Sequence, residues 1–99
     1  LDQPAPPSAI ICNNDRMAFG AMREVQSRGK VVGQEVSIIG FDDIPLARYS
    51  HPALTTIQQP VQEIGSMLFR LLQAVIEGNP TEAWSGRLIK PTLQVRQTT

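Results

Sequence analysis

The chain is poor in the residues that most often carry chemistry. Its 99 residues include one cysteine, Cys12, and one histidine, His51. One cysteine cannot close an internal disulfide. One histidine without a second beside it makes a metal site improbable, and no cofactor is expected. An excess of charge of one sign is missing as well, since nine basic residues balance nine acidic ones. A module that grips phosphates carries a basic footprint, so DNA binding by this segment alone is not expected. No apolar stretch approaches the roughly 20 residues that span a bilayer. No charged region followed by an apolar one marks the chain for export. No membrane partner is expected, and a reducing, cytoplasmic setting fits best. There is no glycine-rich phosphate loop, Cys–His cluster or nucleophile elbow. The spacing of Ser, His and Asp suggests no triad. The chain is therefore read as something other than an enzyme.

What is present suits one small globular domain. Hydrophobic residues make up 41% of the chain, enough for a core, in a length toward the marginal end. Residues 1–7, Leu1-Asp2-Gln3-Pro4-Ala5-Pro6-Pro7, read as a proline-rich connector. Residues 8–99 hold the domain. A chain that opens in a connector, without an initiator methionine, is expected to belong to a longer polypeptide.

Strand and helix patterns alternate along residues 8–99. Ala9 to Cys12 is a continuous apolar run and reads as a short buried strand, with Cys12 as a small buried hydrophobe. Asn13-Asn14-Asp15 supplies a helix start, and Gly29 after Arg28 supplies a stop. Met17, Ala18, Ala21, Met22 and Val25 are the expected core stripe of that helix. Val36 to Phe41 reads as a second strand, broken into a loop by Asp42-Asp43-Ile44-Pro45. Leu54 to Gln58 is β-rich, and Pro60 suits a helix start. Ile64, Met67, Leu68, Leu71, Leu72, Val75 and Ile76 recur at helical spacing. Gly78-Asn79-Pro80 ends that helix. Residues 87–90 and 92–96 read as two terminal strands around Pro91. The fold class is α/β, a parallel sheet with flanking helices.

In such sheets ligands sit at the carboxyl ends of the strands. Asn14 follows the first strand and Asp42 the second, so both should project at one edge. A carboxylate accepts from neighbouring hydroxyls, and a carboxamide both donates and accepts. That pair suits a polyhydroxylated ligand, and a purine would also fit. The simpler reading is that Asn14 and Asp15 cap a helix and Asp42-Asp43 makes a turn. Gln59 could reach the same edge or be a solvated loop residue. Asp42 and Asp43 together also suggest the acidic pocket of a receiver-like or enzymatic α/β domain, although adjacent residues point apart on an extended chain. On the first helix, Arg16, Phe19, Gly20 and Arg23 line a second face. An aromatic among arginines suits a protein interface, and Tyr49, in the expected loop after Asp42, could join it.

Four ordered segments resemble one family. Pro7 to Met22, with Asn14-Asp15 followed by Met17-Ala18 and Gly20-Ala21, is similar to a motif of LacI/GalR regulators. So are Val36-Ser37-Ile38-Ile39-Gly40-Phe41-Asp42-Asp43, Pro52-Ala53-Leu54-Thr55-Thr56-Ile57-Gln58-Gln59-Pro60 and the closing Pro91 to Thr98. The resemblance implies the later part of the C-terminal lobe of a type I periplasmic-binding-protein-like fold. It implies the effector-binding and dimerising portion of a probable repressor that answers to a sugar or nucleobase-like molecule. Asn14, Asp42 and, more loosely, Gln59 match ligand-contacting positions. Arg16, Phe19, Gly20, Arg23, Tyr49 and Ser50 match a homodimer surface. DNA would be contacted only by an N-terminal domain. A transport-type sugar binder of the same fold is the competing expectation. Asn13 departs from the family's usual Ala or Gly. With half the cleft absent, this segment alone should bind its effector weakly and self-associate.

Overall fold

The computed structural model describes residues 1–78, 86 and 88–99. The chain divides into two compact units: residues 1–58 with 92–99, and residues 59–91.

The first unit is a βαβ arrangement. β1 (Ala9–Ile11) leads into α1 (Asp15–Ser27), which returns to β2 (Ser37–Ile39). The two strands pair in parallel, Ala9 opposite Ser37 and Ile11 opposite Ile39. α1 starts where its cap residue stands: Asn14 is extended and its side chain accepts from the Met17 amide. It ends at Gly29, whose φ of +74° is the left-handed stop that glycine adopts without steric cost.

Parallel pairing continues on the far side of β2. Isolated bridges join Ile39 to Thr55 and Asp42 to Gln58. β3 (Thr56–Gln58) then pairs antiparallel with β4 (Thr92–Gln94). The chain's last residues pack beside β2. The Thr98 hydroxyl donates to the Ile38 carbonyl at 2.7 Å, and the Ile38 amide donates to the Thr98 carbonyl at 2.8 Å.

The core gathers Ala18, Met22 and Val25 of α1 with Val32, Val36, Ile38, Ala47 and Leu54. Fully burying a Val, Leu or Ile side chain stabilises by about 1.5–3 kcal/mol, so these few residues hold the unit together.

Several sequence expectations need correction. β1 is not a buried strand: Ile10 packs on the core, but Ile11 is 80% exposed. Strand neighbours alternate faces, and only one face of β1 meets the core. Met17 is exposed, because it lies about 100° around the helix from the Ala18–Met22–Val25 line. The segment after Asp43 is no loop. Ile44 leads into a short helix, α2 (Pro45–Tyr49), with Pro45 in its first turn, so Tyr49 ends a helix. Cys12 is partly buried against the core, and burial pushes its thiol pKa up.

The second unit is built on α3 (Val61–Ile76), which begins after Pro60 as its composition suggests. None of its residues is buried. Gly78, at φ +81°, follows its end; Asn79 and Pro80 lie outside the described residues. Of the two expected terminal strands only β4 forms among the described residues. Leu88 to Lys90 carry no strand, and Arg87 lies outside the described residues. Pro91 lacks the amide that would carry a ladder through it.

Candidate functional site

The site is built where β1 and β2 end. After β1 the chain runs beside the end of β2: the Cys12 amide donates to the Ile39 carbonyl at 2.8 Å, and the Asp15 amide to the Phe41 carbonyl at 3.0 Å. These bonds bring the Asn14 cap alongside the Asp42 loop. Asn14 accepts from the Met17 amide through Oδ1 at 2.9 Å. Capping occupies that oxygen and leaves the carboxamide NH₂ to donate elsewhere. Helix capping and ligand contact are therefore compatible roles for one side chain.

Asp42 is exposed at the end of β2 and its φ is +114°; Asp43 follows at φ +55°. Left-handed backbone is uncommon outside glycine and persists only where surrounding bonds enforce it. The Asp42 amide donates to the Ile57 carbonyl at 2.9 Å. The Asp43 carboxylate forms an ion pair with Arg96 at 2.8 Å, where the two side chains are 7% and 13% exposed. The adjacent aspartates thus differ: Asp42 is exposed, while the Asp43 carboxylate is held in a nearly buried ion pair. That difference disfavours a two-carboxylate receiver-like pocket. Among the described residues no group of three or more His, Cys, Asp or Glu side chains could hold a metal ion.

Asp15, next to Asn14, is fully buried. Its Oδ2 accepts from the Ile44 amide at 2.8 Å, and its Oδ1 accepts from the Thr56 hydroxyl. Sequence reasoning treated Asp15 as a cap and missed this role. It also missed the Asp43–Arg96 pair, which joins residues far apart in sequence. A signal was present in Gly40. A Cβ there would stand 2.3 Å from Asp15 Oδ1 and 3.0 Å from Leu54 Cδ2, so only glycine leaves room for the buried carboxylate.

A hollow of about 240 Å³ lies beside the Asp42 loop, lined by Asp43, Ile44, Pro45, Arg48, Tyr49 and Gln58. A larger one, about 710 Å³, lies at the opposite end of α1, around Gly29, Lys30 and Gln34. It contains none of the residues singled out at the carboxyl edge. Gln59 belongs to the second unit.

On the expected interface face, Arg16, Gly20 and Arg23 are exposed, while Phe19 is half-buried against the core. Tyr49 is 78% exposed. Ser50 closes α2, its hydroxyl donating to the Ala47 and Pro52 carbonyls.

Comparison with known proteins gives this architecture its class. A family model described as "Periplasmic binding protein-like domain" matches residues 1–99. The chain belongs to that family. Its relatives within it are LacI-type repressors, as the four motifs implied. It is 39% identical to the ribose operon repressor of Haemophilus influenzae over 98% of this chain and 29% of that protein. It is 41% identical to the transcriptional repressor CytR of Escherichia coli K12 over 100% of this chain and 29% of that protein. A crystal structure of the lac repressor dimer bound to operator and the anti-inducer ONPF superposes with a TM-score of 0.84, at 35% identity. That match covers 94% of this chain and 32% of the other. The chain thus spans less than a third of the length of each of these three relatives.

Proposed function

We propose that this chain is the effector-binding and dimerising portion of a LacI/GalR-type transcription repressor. Asn14 and Asp42 contact the effector, and the family motif makes Gln59 a further candidate contact. The effector is a sugar or a nucleobase-like small molecule. The observation that carries this reading is the placement of Asn14 beside the Asp42 loop at the carboxyl edge of the parallel pair, tied by the Asp15–Phe41 bond. An amide donor and an exposed carboxylate suit the alternating donors and acceptors of a polyol.

Arg16, Phe19, Gly20, Arg23, Tyr49 and Ser50 form the homodimer surface. The half-burial of Phe19 supports its use as a rigid anchor at the centre of that patch. DNA contact belongs to another part of the parent polypeptide, consistent with the balanced charge of this chain. The protein works in the cytoplasm and catalyses no reaction. The repressor names of its relatives favour this reading over a transport-type sugar binder.

The test uses the parent protein carrying Asp42→Ala. Operator binding is followed by fluorescence anisotropy while ribose, galactose, cytidine and hypoxanthine are titrated. Operator affinity should stay unchanged. The effector concentration for half-response should rise at least about tenfold, as expected for losing a charged hydrogen-bond partner. An unchanged response to an effector that the wild type recognises would overturn the proposal.

A further inference from the structure

The candidate contacts Asn14 and Asp42 stand on a largely buried polar frame, with Asp15 and Thr56 fully buried and Arg96 nearly so. Asp42 and Asp43 both hold left-handed backbone without being glycine. Aspartate tolerates the left-handed well of Asp43, but the φ of +114° at Asp42 lies outside it and needs support from the neighbouring residues. Three side chains reach this loop from three elements. Arg96, just past β4, pairs with the Asp43 carboxylate at 2.8 Å. The same guanidinium donates to the Leu54 carbonyl at 3.0 Å, and the Arg96 amide donates to Thr55 Oγ1 at 2.8 Å. Thr56, at the start of β3, accepts from the Asp43 amide at 3.4 Å and donates its hydroxyl to Asp15. Asp15 holds the Ile44 amide at 2.8 Å, while its own amide holds Phe41.

Asp15 is the joint between the two halves. It sits one residue after Asn14, on the first turn of α1, and its carboxylate grips the chain two residues after Asp42. Any shift of the Asp42 loop must therefore stretch a bond to the residue next to Asn14. The Asp43–Arg96 pair fixes the other side of the loop. A nearly buried ion pair is a poor way to gain stability, because desolvation offsets most of its attraction. It is a good way to impose one geometry, since a carboxylate and a guanidinium match in few orientations.

We infer that Asp15, Thr56 and Arg96 are positioning residues, which set the Asp42 carboxylate against Asn14 for effector recognition without touching the effector. This rests on the reading of Asn14 and Asp42 as effector contacts. Removing one anchor lets the loop leave the bound shape, and apparent affinity falls by the fraction of time it spends elsewhere.

The experiment uses the full-length parent dimer and the effector that the wild type answers to in the titration above. Thr56→Val removes the hydroxyl but keeps the shape; Thr56→Ser restores the hydroxyl. Arg96→Met removes the charge; Arg96→Lys keeps it. Effector affinity is measured by calorimetry, operator affinity by anisotropy and folding by thermal melting. Thr56→Val and Arg96→Met should weaken effector binding at least about tenfold with operator affinity unchanged. Thr56→Ser should recover most of that loss, whereas Arg96→Lys, which keeps the charge but not the planar guanidinium, should recover little of it. A lowered melting temperature with wild-type effector affinity would overturn the inference, leaving a structural role alone. If Arg96→Met does not fold, the Thr56 pair decides. Asp42→Ala separates the two levels: if it leaves effector affinity intact, the site assignment itself fails; if it abolishes binding while Thr56→Val does not, only the positioning role fails.

Discussion

α1 and α3 carry the same kind of sequence signal and end in different surroundings. Both are amphipathic, with apolar residues at helical spacing. α1 fully buries Ala18 and nearly buries Met22 and Val25, whereas in α3 Ile64, Met67, Leu71 and Ala74 are only half-buried and no residue is buried outright. Leu68, Phe69, Leu72 and Ile76 are each between 59% and 76% exposed. An apolar stripe therefore states that a helix has a face to cover, but not which segment covers it. For α1 the cover is sequential: β2 follows directly and Ile38 is fully buried in the shared core.

The largest effect should separate these regions by truncation. Ile38→Ala should destabilise the chain by about 2–5 kcal/mol, the range for emptying a packed aliphatic site. Leu72→Ala should cost less than about 1 kcal/mol, as for an exposed position. Urea denaturation followed by circular dichroism of the isolated chain measures both. Repeating the pair in the parent protein sharpens the comparison. A cost for Leu72→Ala that rises to match Ile38→Ala there would mean that the α3 face is covered in the longer polypeptide. Equal costs already in the isolated chain would break the distinction.

Legibility in the sequence follows the same division. Features set by residues close in the chain were readable. The Asn14 cap, the Gly29 stop and the helical start after Pro60 each depend on three or four neighbours. The edge position of Asn14 and Asp42 was readable too, because strand order and strand ends define it. What was hidden joins distant segments. Asp15 meets Thr56 41 residues on, and Thr98 meets Ile38 across 60. No periodicity records such pairs. The Asp42-Asp43 doublet shows the limit well: both residues looked alike, and the pair with Arg96 distinguishes them by holding one nearly buried. Ile11 failed in the opposite sense, since an apolar run does not reveal which face of a strand is covered.

Glycines give the next comparison. Gly40 and Gly65 are both candidates for alanine, one in each unit. At Gly40 the new Cβ would press on Asp15 Oδ1 and Leu54 Cδ2. Gly40→Ala should cost roughly 1–3 kcal/mol, as overpacking does, and should also weaken effector response by pushing on Asp15. Gly65 lies inside α3, and a Cβ there would meet nothing within 4 Å. Gly65→Ala should stabilise by about 0.5–1 kcal/mol through helix propensity alone. Thermal melting of both variants reads this out. A destabilising Gly65→Ala would show that something approaches α3 closely at that point.

The smallest effect concerns the connector that precedes β1. Asp2 pairs with Arg28 at the C-terminal end of α1, and Arg28 also bonds Glu24 at 2.7 Å. The Arg28 hydrogen bond, and then its charge, hold the Asp2 carboxyl below its ordinary value of 3.8. A carboxylate whose folded value is lowered adds stability above its unfolded value and loses it as pH falls through the folded one. The contribution of Asp2 should therefore be present above pH 3.8 and disappear as pH falls below it. Asp2 is 86% exposed, so salt should screen the pair. The measurement is the difference in melting temperature between the chain and Asp2→Asn, taken from pH 7 down to pH 2, at low salt and again in about 1 M salt, where screening acts within about 3 Å. The difference should be small, favour Asp2 at pH 7, vanish at pH 2 and shrink in salt. A curve flat in pH would mean that solvent competes successfully for Arg28. Residues 1–7 would then hold to their unit through the packing of Leu1 against the core rather than through the Asp2–Arg28 pair.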